Sequence, residues 1–417
     1  MSSDGLVRGD EAPVFEPRGN LRVSALSELL SLPDSEKTSR GLAHTPAEIA
    51  QQPDAWLSTF EIFQRNQPRI LKFLSSAGLG ATSTSRPTVF LIGAGTSDYI
   101  GHALASLLRK LWRCEVITVP STDLLTHMQD VLIPQRNCLC ISFSRSGNTA
   151  EGVAVLEKIR EVCPDIPHLV ISCNAEGKMI REHAGQPGFL GIALDDAVND
   201  RGLAMTSSFS NMLVFGQCLA HVNDVDAYAQ ILAQLVQAGK SFLPQAADCA
   251  AALAQGPYTK VCFVGSGPLR AVATESALKL LELTAGKTLT MSESALGLRH
   301  GPMAVLDQDT LFVCFLSGDR RVQQYERDLL MEIEKKKLVG CRVVVAGRET
   351  PTNDYGADHY LSPSVSSSLA DDYRPAVDVM FGQLLGLFCS LRWNLRPDCP
   401  SPNGAISRVV ENLNIHG

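Results

Sequence analysis

The octapeptide Ser142-Phe143-Ser144-Arg145-Ser146-Gly147-Asn148-Thr149 sets hydroxyls, a glycine and an arginine where an apolar run gives way to a helical pattern. Hydroxyls, backbone N–H groups and the positive end of a helix together hold a phosphomonoester compactly. Ser144, Ser146 and Thr149 are the candidate contacts, and Arg145 adds charge in a direction the sequence leaves open. The same residue types also build ordinary turns, so the octapeptide alone fits both readings. A second turn, Gly93-Ala94-Gly95-Thr96-Ser97-Asp98, likewise follows an apolar run. Such a turn can bring N–H groups to an anion. The dinucleotide fingerprint wants a third glycine where this chain has Asp98, which argues against a nicotinamide site. Thr96 and Ser97 supply hydroxyls instead, with plain turn and cap residues as the alternative. Thr206, Ser207 and Ser208 form a third hydroxyl cluster at a helix start, where capping alone would account for them.

Acid–base chemistry has two candidate sources. In RAVATESALKLLELTAG (270–286), Glu275, Lys279 and Glu282 recur at helical spacing and share one face. They are either a solvated stripe or carboxylates in a cleft, where desolvation would raise a pKa toward that of a general base. In Leu298-Arg299-His300-Gly301-Pro302-Met303, a rigid turn follows an imidazole, which is either structural or catalytic.

TVFLIGAG (88–95), CEVITVP (114–120), NCLCISFS (137–144) and HLVISC (168–173) are short apolar runs separated by helical patterns. That alternation predicts βαβ units and a parallel sheet. KVCFVGSGPLRAVA (260–273), TLFVCFLSGD (310–319) and CRVVVAG (341–347) repeat the order about 170 residues later, so the chain is a domain duplication. The N-terminal part carries one expected short helix near 26–32, then Thr45-Pro46-Ala47-Glu48 as a capping box opening a helical segment.

The chain has 417 residues, 45% hydrophobic and 19% charged, with a net charge of −7. This suits a globular protein and gives no sign of a nucleic-acid or membrane-surface binder. No apolar run reaches transmembrane length and no secretory signal is expected. The 12 cysteines sit in apolar contexts, which predicts reduced thiols and a cytoplasmic setting. Without a CxxC pair or an HExxH, no zinc site is expected.

The turn GAGTSD, the octapeptide SFSRSGNT, the helix ESALKLLEL and the loop LRHGPMAV occur in this order on a duplicated chain. The set resembles the sugar isomerase (SIS) family, in particular the isomerase half of glucosamine-6-phosphate synthase, over roughly residues 45–410. The resemblance implies an α/β protein of two tandem SIS domains, each a three-layer αβα sandwich around a parallel sheet. The expected divisions are a flexible extension (1–43), a helical segment (44–86), SIS domains at 87–245 and 256–400, and a tail (401–417) closing the active site. By the same resemblance, Thr96, Ser97, Ser144, Ser146 and Thr149 contact the sugar phosphate, and Thr206 helps enclose the sugar. Glu282 would move the proton between C1 and C2, Lys279 would lie near the sugar, and His300 would assist ring opening in a neighbouring subunit. A homodimer or larger homo-oligomer is therefore implied, with neither metal nor organic cofactor.

Two departures narrow the branch. Only about 85 residues precede the first strand, so no glutamine-hydrolysing half is expected, and Ser407 stands where the synthase tail has a lysine, with Arg408 next. These features, with TPAEIAQQP and CPSPNGAISRVV, resemble the galactosamine-6-phosphate deaminase/isomerase group, also called tagatose-6-phosphate ketose/aldose isomerases. The implied reaction takes D-galactosamine 6-phosphate and water to D-tagatose 6-phosphate and ammonia. The alternatives are a non-deaminating sugar-phosphate isomerase, a glucosamine-6-phosphate deaminase, or a sugar-phosphate-sensing regulator.

Overall fold

The computed structural model describes residues 23–80, 85–132, 136–348, 355–363, 369–404, 406–409 and 413–416. The first half carries β1 (Thr88–Gly93), β2 (Val116–Pro120), β3 (Cys138–Ser144), β4 (His168–Ser172) and β5 (Phe189–Ala193). The second carries β6 (Lys260–Gly265), β7 (Leu289–Ser294), β8 (Thr310–Leu316), β9 (Cys341–Ala346) and β10 (His359–Leu361). Each half forms one five-stranded sheet, ordered β2-β1-β3-β4-β5 and β7-β6-β8-β9-β10, with every described pairing parallel. Strand for strand the two orders are the same, which is the duplication that the sequence repeat predicts. Strands β5, β7 and β10 lie outside the apolar runs assigned from sequence. Leu289 on β7 is 62% exposed and β10 spans three residues, so neither presents a strong apolar pattern.

Side chains alternate across each sheet and assign its two faces. Phe90 and Ile92 pack with Val119, Leu124, Cys140, Val155 and Ile159 under α6 (Ser121–Val131) and α7 (Ala150–Val162). Val89, Leu91, Leu139 and Ile141 face the opposite way, toward α5 (Thr96–Trp112) and α9 (Ser207–Ala220). In the second half, Cys262, Val264 and Phe312 pack with residues of α12 (Arg320–Lys336), while Val261, Phe263 and Val313 face α11 (Pro268–Leu283) and α13 (Pro375–Arg392). The inward faces share one continuous core, so a common helical layer stands between the two sheets. Helix α5 packs against α11 at its centre, and α10 (Val225–Ala254) packs against α13. Helix α10 runs past residue 245, the expected end of the first domain, because its apolar face continues into the second.

The N-terminal region is more structured than expected. Residues 1–22 lie outside the described residues, but α1 (Ala25–Leu30) and α2 (Asp34–Arg40) follow, with Leu26, Leu29 and Leu42 buried. Residues 23–43 are thus packed chain rather than a flexible extension. Helices α3 (Thr45–Ala50) and α4 (Gln52–Leu74) come next, and the short α8 (Lys178–Arg181) lies between β4 and β5. The capping box at Thr45 does not form. Thr45 donates to the Asp398 carboxylate at 2.8 Å through both its N–H and its hydroxyl, and Glu48 accepts from the backbone of Arg201 and Gly202. Among the described residues no helix is long and apolar enough to cross a membrane.

Each sheet meets its shared helix by a very close turn. A Cβ on Gly93 would sit 2.3 Å from the backbone carbon of Ser97, and one on Gly265 would sit 2.3 Å from the Leu269 carbonyl oxygen. Backbone cannot retreat as a side chain can. Gly93→Ala is therefore expected to destabilise the fold by about 1–3 kcal/mol through overpacking. An unchanged urea midpoint would show that the β1–α5 turn is looser than described.

Candidate active site

In a doubly wound sheet, the crevice opens at the carboxyl ends of the strands where the order reverses. In the first domain that point lies between β1 and β3, and a cavity of about 330 Å³ occupies it. Its wall includes Thr96 and Ser97 after β1, Ser144, Arg145, Ser146 and Thr149 after β3, Glu282 from α11, and Ser407 of the tail. The octapeptide is folded for this use. Gly147 has φ +63°, and its N–H donates to Ser144 Oγ at 3.0 Å. Asn174 Nδ2 donates to the Ser146 carbonyl at 2.8 Å, bracing the loop from behind. Thr149 is the N-cap residue of α7 but makes no side-chain cap bond, which leaves the helix's first N–H groups for an anion. Ser142 bonds His168 Nε2 at 2.7 Å, and burial pushes that imidazole down to about 3, so it is neutral.

The acid–base cluster lies on the other wall. Lys279 is fully buried, and its Nζ is 2.5 Å from Glu282 Oε2, 3.0 Å from Thr96 Oγ1 and 3.4 Å from Glu275 Oε1. Burial disfavours its charge, but Glu275 and Glu282 outweigh that and raise its pKa. Thr96 donates to Glu275 Oε1 at 3.2 Å. Burial pushes the Glu275 carboxyl up to about 8, against the pull of Lys279. Glu282 has 27% side-chain exposure and borders the cavity, while Glu275 and Lys279 stand behind it. This cleft is what the spacing of the three residues allowed and a solvated stripe would not give.

Arg145 borders the cavity, with its guanidinium tied to backbone carbonyls. Its guanidinium donates to the carbonyls of Leu203, at 3.1 Å, and Arg408. Arg408 in turn donates to the Asp200 carbonyl and to Asn199 Oδ1, both at 2.6 Å. Tail residues Ile406, Ser407 and Arg408 thus form part of the cavity wall, tied to the first domain through Arg145 and Arg408. Thr206 is not on the cavity wall. It is fully buried, and its N–H and hydroxyl donate to Asp200, which also accepts from Ser207 and from Ser208. Its part is to fix the loop carrying Leu203 and Met205, which do line the cavity. His300 is exposed at the end of a short 3-10 turn and is absent from this cavity wall. Asp200 escaped notice in the sequence because an isolated aspartate six residues before a Thr-Ser-Ser run has no strong signature. Among the described residues no group of three or more His, Cys, Asp or Glu side chains is arranged to hold a metal ion.

The SIS domain model matches residues 84–222, which contain the first sheet and its loop. AgaS of Streptomyces coelicolor is 38% identical over 376 residues, covering 89% of this chain and 95% of its own length. The D-galactosamine-6-phosphate deaminase AgaS of Shewanella sp. ANA-3 is 31% identical, covering 93% and 95%. This chain belongs to the AgaS family of SIS-domain proteins. The crystal structure of tagatose-6-phosphate ketose/aldose isomerase from Escherichia coli superposes with a TM-score of 0.80 at 30% identity, over 89% of this chain and 96% of that one.

Within this AgaS family member the two switch points have diverged. In the second domain, Ser317 donates to Asp371 from its hydroxyl at 2.5 Å, and Gly318 donates to it from its N–H at 2.8 Å. Glu326 accepts from the Ser317 N–H at 2.8 Å, and Asp319 caps α12. Protein carboxylates thus take donors that an anion would need, whereas Ser144, Ser146 and Thr149 at the first switch point border a cavity. In the first domain the equivalent ordering falls to Asp200. Asp200→Ala would strand several buried donors, each worth about 1–3 kcal/mol. Its expected effects are a loss of at least ~3 kcal/mol and faster amide exchange over residues 199–208. A change within roughly 0.5 kcal/mol, as for an ordinary surface site, would contradict that role.

Proposed function

We propose that this protein is a D-galactosamine-6-phosphate deaminase/isomerase, forming D-tagatose 6-phosphate and ammonia. The observation that carries this is the single cavity shared by the octapeptide and Glu282. Its volume lies within the ~300–1,000 Å³ of small-molecule sites. The phosphate sits against Ser144, Ser146, Thr149 and the start of α7, with Thr96 and Ser97 on the adjoining turn. Binding energy spent there, away from the reacting carbons, positions C1 and C2 at Glu282. In the open-chain amino aldose, Glu282 takes the proton from C2 and an enolamine forms. The same carboxyl returns the proton to C1, giving a ketimine at C2. Water adds to that carbon, the C–N bond breaks and ammonia leaves. Lys279, 2.5 Å from Glu282 Oε2, holds that carboxylate in place at the cavity. Phosphorylated sugar as substrate, and twelve cysteines without a disulfide, fit a cytoplasmic enzyme.

His300 supports an assembled site. It is exposed, and it leaves its own cavity without an imidazole at the wall. The partner copy in a homo-oligomer supplies it for ring opening, and the tail over 401–417 completes the closure. A regulator that only senses sugar phosphates would need the phosphate loop but not the buried Lys279–Glu282 pair.

Purified protein is expected to release ammonia from galactosamine 6-phosphate and not from glucosamine 6-phosphate. No ammonia from either would sink the deaminase function. Glu282→Gln should lose ~10²–10⁴-fold in kcat with little change in phosphate binding. Mixing that variant with His300→Ala, each inactive alone, should restore part of the activity if sites are shared between subunits. Absence of recovery in subunit-exchanged mixtures would contradict a site shared between subunits, and full activity of His300→Ala alone would place His300 outside the reaction.

A further inference from the structure

We propose that Glu275 is a positioning residue for the reaction, holding one proton in the buried cluster so that the Lys279 ammonium serves Glu282. The proposal rests on the deaminase/isomerase function and extends it to a residue that does not reach the cavity. Glu275 is fully buried on α11, one turn before Lys279. One of its oxygens accepts from the Thr96 hydroxyl and faces Lys279, while Oε2 has no hydrogen-bond partner among the described residues. A bare charge on that oxygen would be costly. With Lys279 positive and Glu282 negative, a proton on Glu275 leaves the cluster neutral.

The charged groups facing it come from three elements. Lys279 and Glu282 lie on its own helix, Tyr99 lies on α5, where Asp98 acts on Tyr99, and Arg145 on the loop after β3 acts on Lys279 and Glu282. None of these but Lys279 offsets a charge on Glu275 directly. Losing the proton would draw the ammonium toward Glu275, across a gap of 3.4 Å, and away from its 2.5 Å contact with Glu282. Thr96, donating to one carboxylate and accepting from the ammonium, would shift with it on the cavity wall. Glu275 therefore sets the upper pH limit of turnover without touching substrate.

The sign is fixed by the direction of the shift. Glu275 titrates at about 8 when folded against 4.5 unexposed to such burial. The stability tied to its protonated form is complete below pH 4.5 and is lost progressively up to pH 8. Two readouts follow, measured on the full-length protein. In kcat against pH with galactosamine 6-phosphate, the wild type should decline above about pH 8. Glu275→Gln, a neutral isostere, should keep KM within about twofold and remove that decline. Glu275→Asp, which still titrates, should retain a decline. In thermal unfolding without substrate, the Glu275→Gln midpoint should gain on the wild type between pH 5 and pH 8. A decline of unchanged midpoint in Glu275→Gln, or a constant offset in thermal midpoint across that range, would overturn the proposal. The thermal series needs no turnover, so it tests Glu275 even if galactosamine 6-phosphate proves not to be the substrate.

Discussion

A lysine ammonium held out of water organises this molecule. Stripping such an ion of solvent costs several kcal/mol. One carboxylate at contact distance returns about 4 kcal/mol at an effective dielectric near 20. Glu282 supplies that, and the Thr96 hydroxyl and Glu275 Oε1 accept around the rest of the group. The partners come from different domains: Thr96 opens α5 of the first, and the acids belong to α11 of the second. Two of the ammonium's three partners share its helix, and the third is in place only when α5 and α11 are packed together. The domain interface and the chemical centre are one structure, and the shared helical layer between the sheets keeps both rigid.

Duplication explains why one chain holds one such site. Both halves present the same strand order, with a close glycine turn and a serine-bearing loop at the point where that order reverses. The first keeps its donors for a ligand. The second fills its own with Asp371, Glu326 and Asp319, turning a binding crevice into a structural joint. Its helix α11 was then free to turn the other face, with Lys279 and Glu282, toward the first domain's cavity. In the proposed reaction, one copy holds the phosphate and the other provides the base.

Much of this was legible in the sequence, for physical reasons that differ by element. Buried parallel strands read as apolar runs, so β1, β2, β3, β4, β6, β8 and β9 stood out, whereas β5, the half-buried β7 and the three-residue β10 did not. The octapeptide was legible as a candidate because it sets hydroxyls and a glycine directly after a buried strand, although ordinary turns use the same residues. Glu282 was assigned by resemblance, and only burial distinguishes it from a solvated stripe. What local sequence could not carry was long-range closure. Asp200 gathers three backbone N–H groups, Arg145 on the cavity wall also bonds the tail, and Thr45 bonds Asp398 more than 350 residues away. These contacts depend on chain ends meeting across the shared core, and no spacing rule encodes them.

The central claim is geometric: a sugar phosphate anchored at the first switch point presents C1 and C2 to a carboxylate from the second domain. A crystal structure of the Glu282→Gln variant with galactosamine 6-phosphate bound tests it most directly. The account predicts the phosphate ringed by Ser144, Ser146 and Thr149, with C1 and C2 within hydrogen-bonding reach of the side chain at position 282. A sugar phosphate seated elsewhere, or one whose C1 and C2 face away from that side chain, would contradict it.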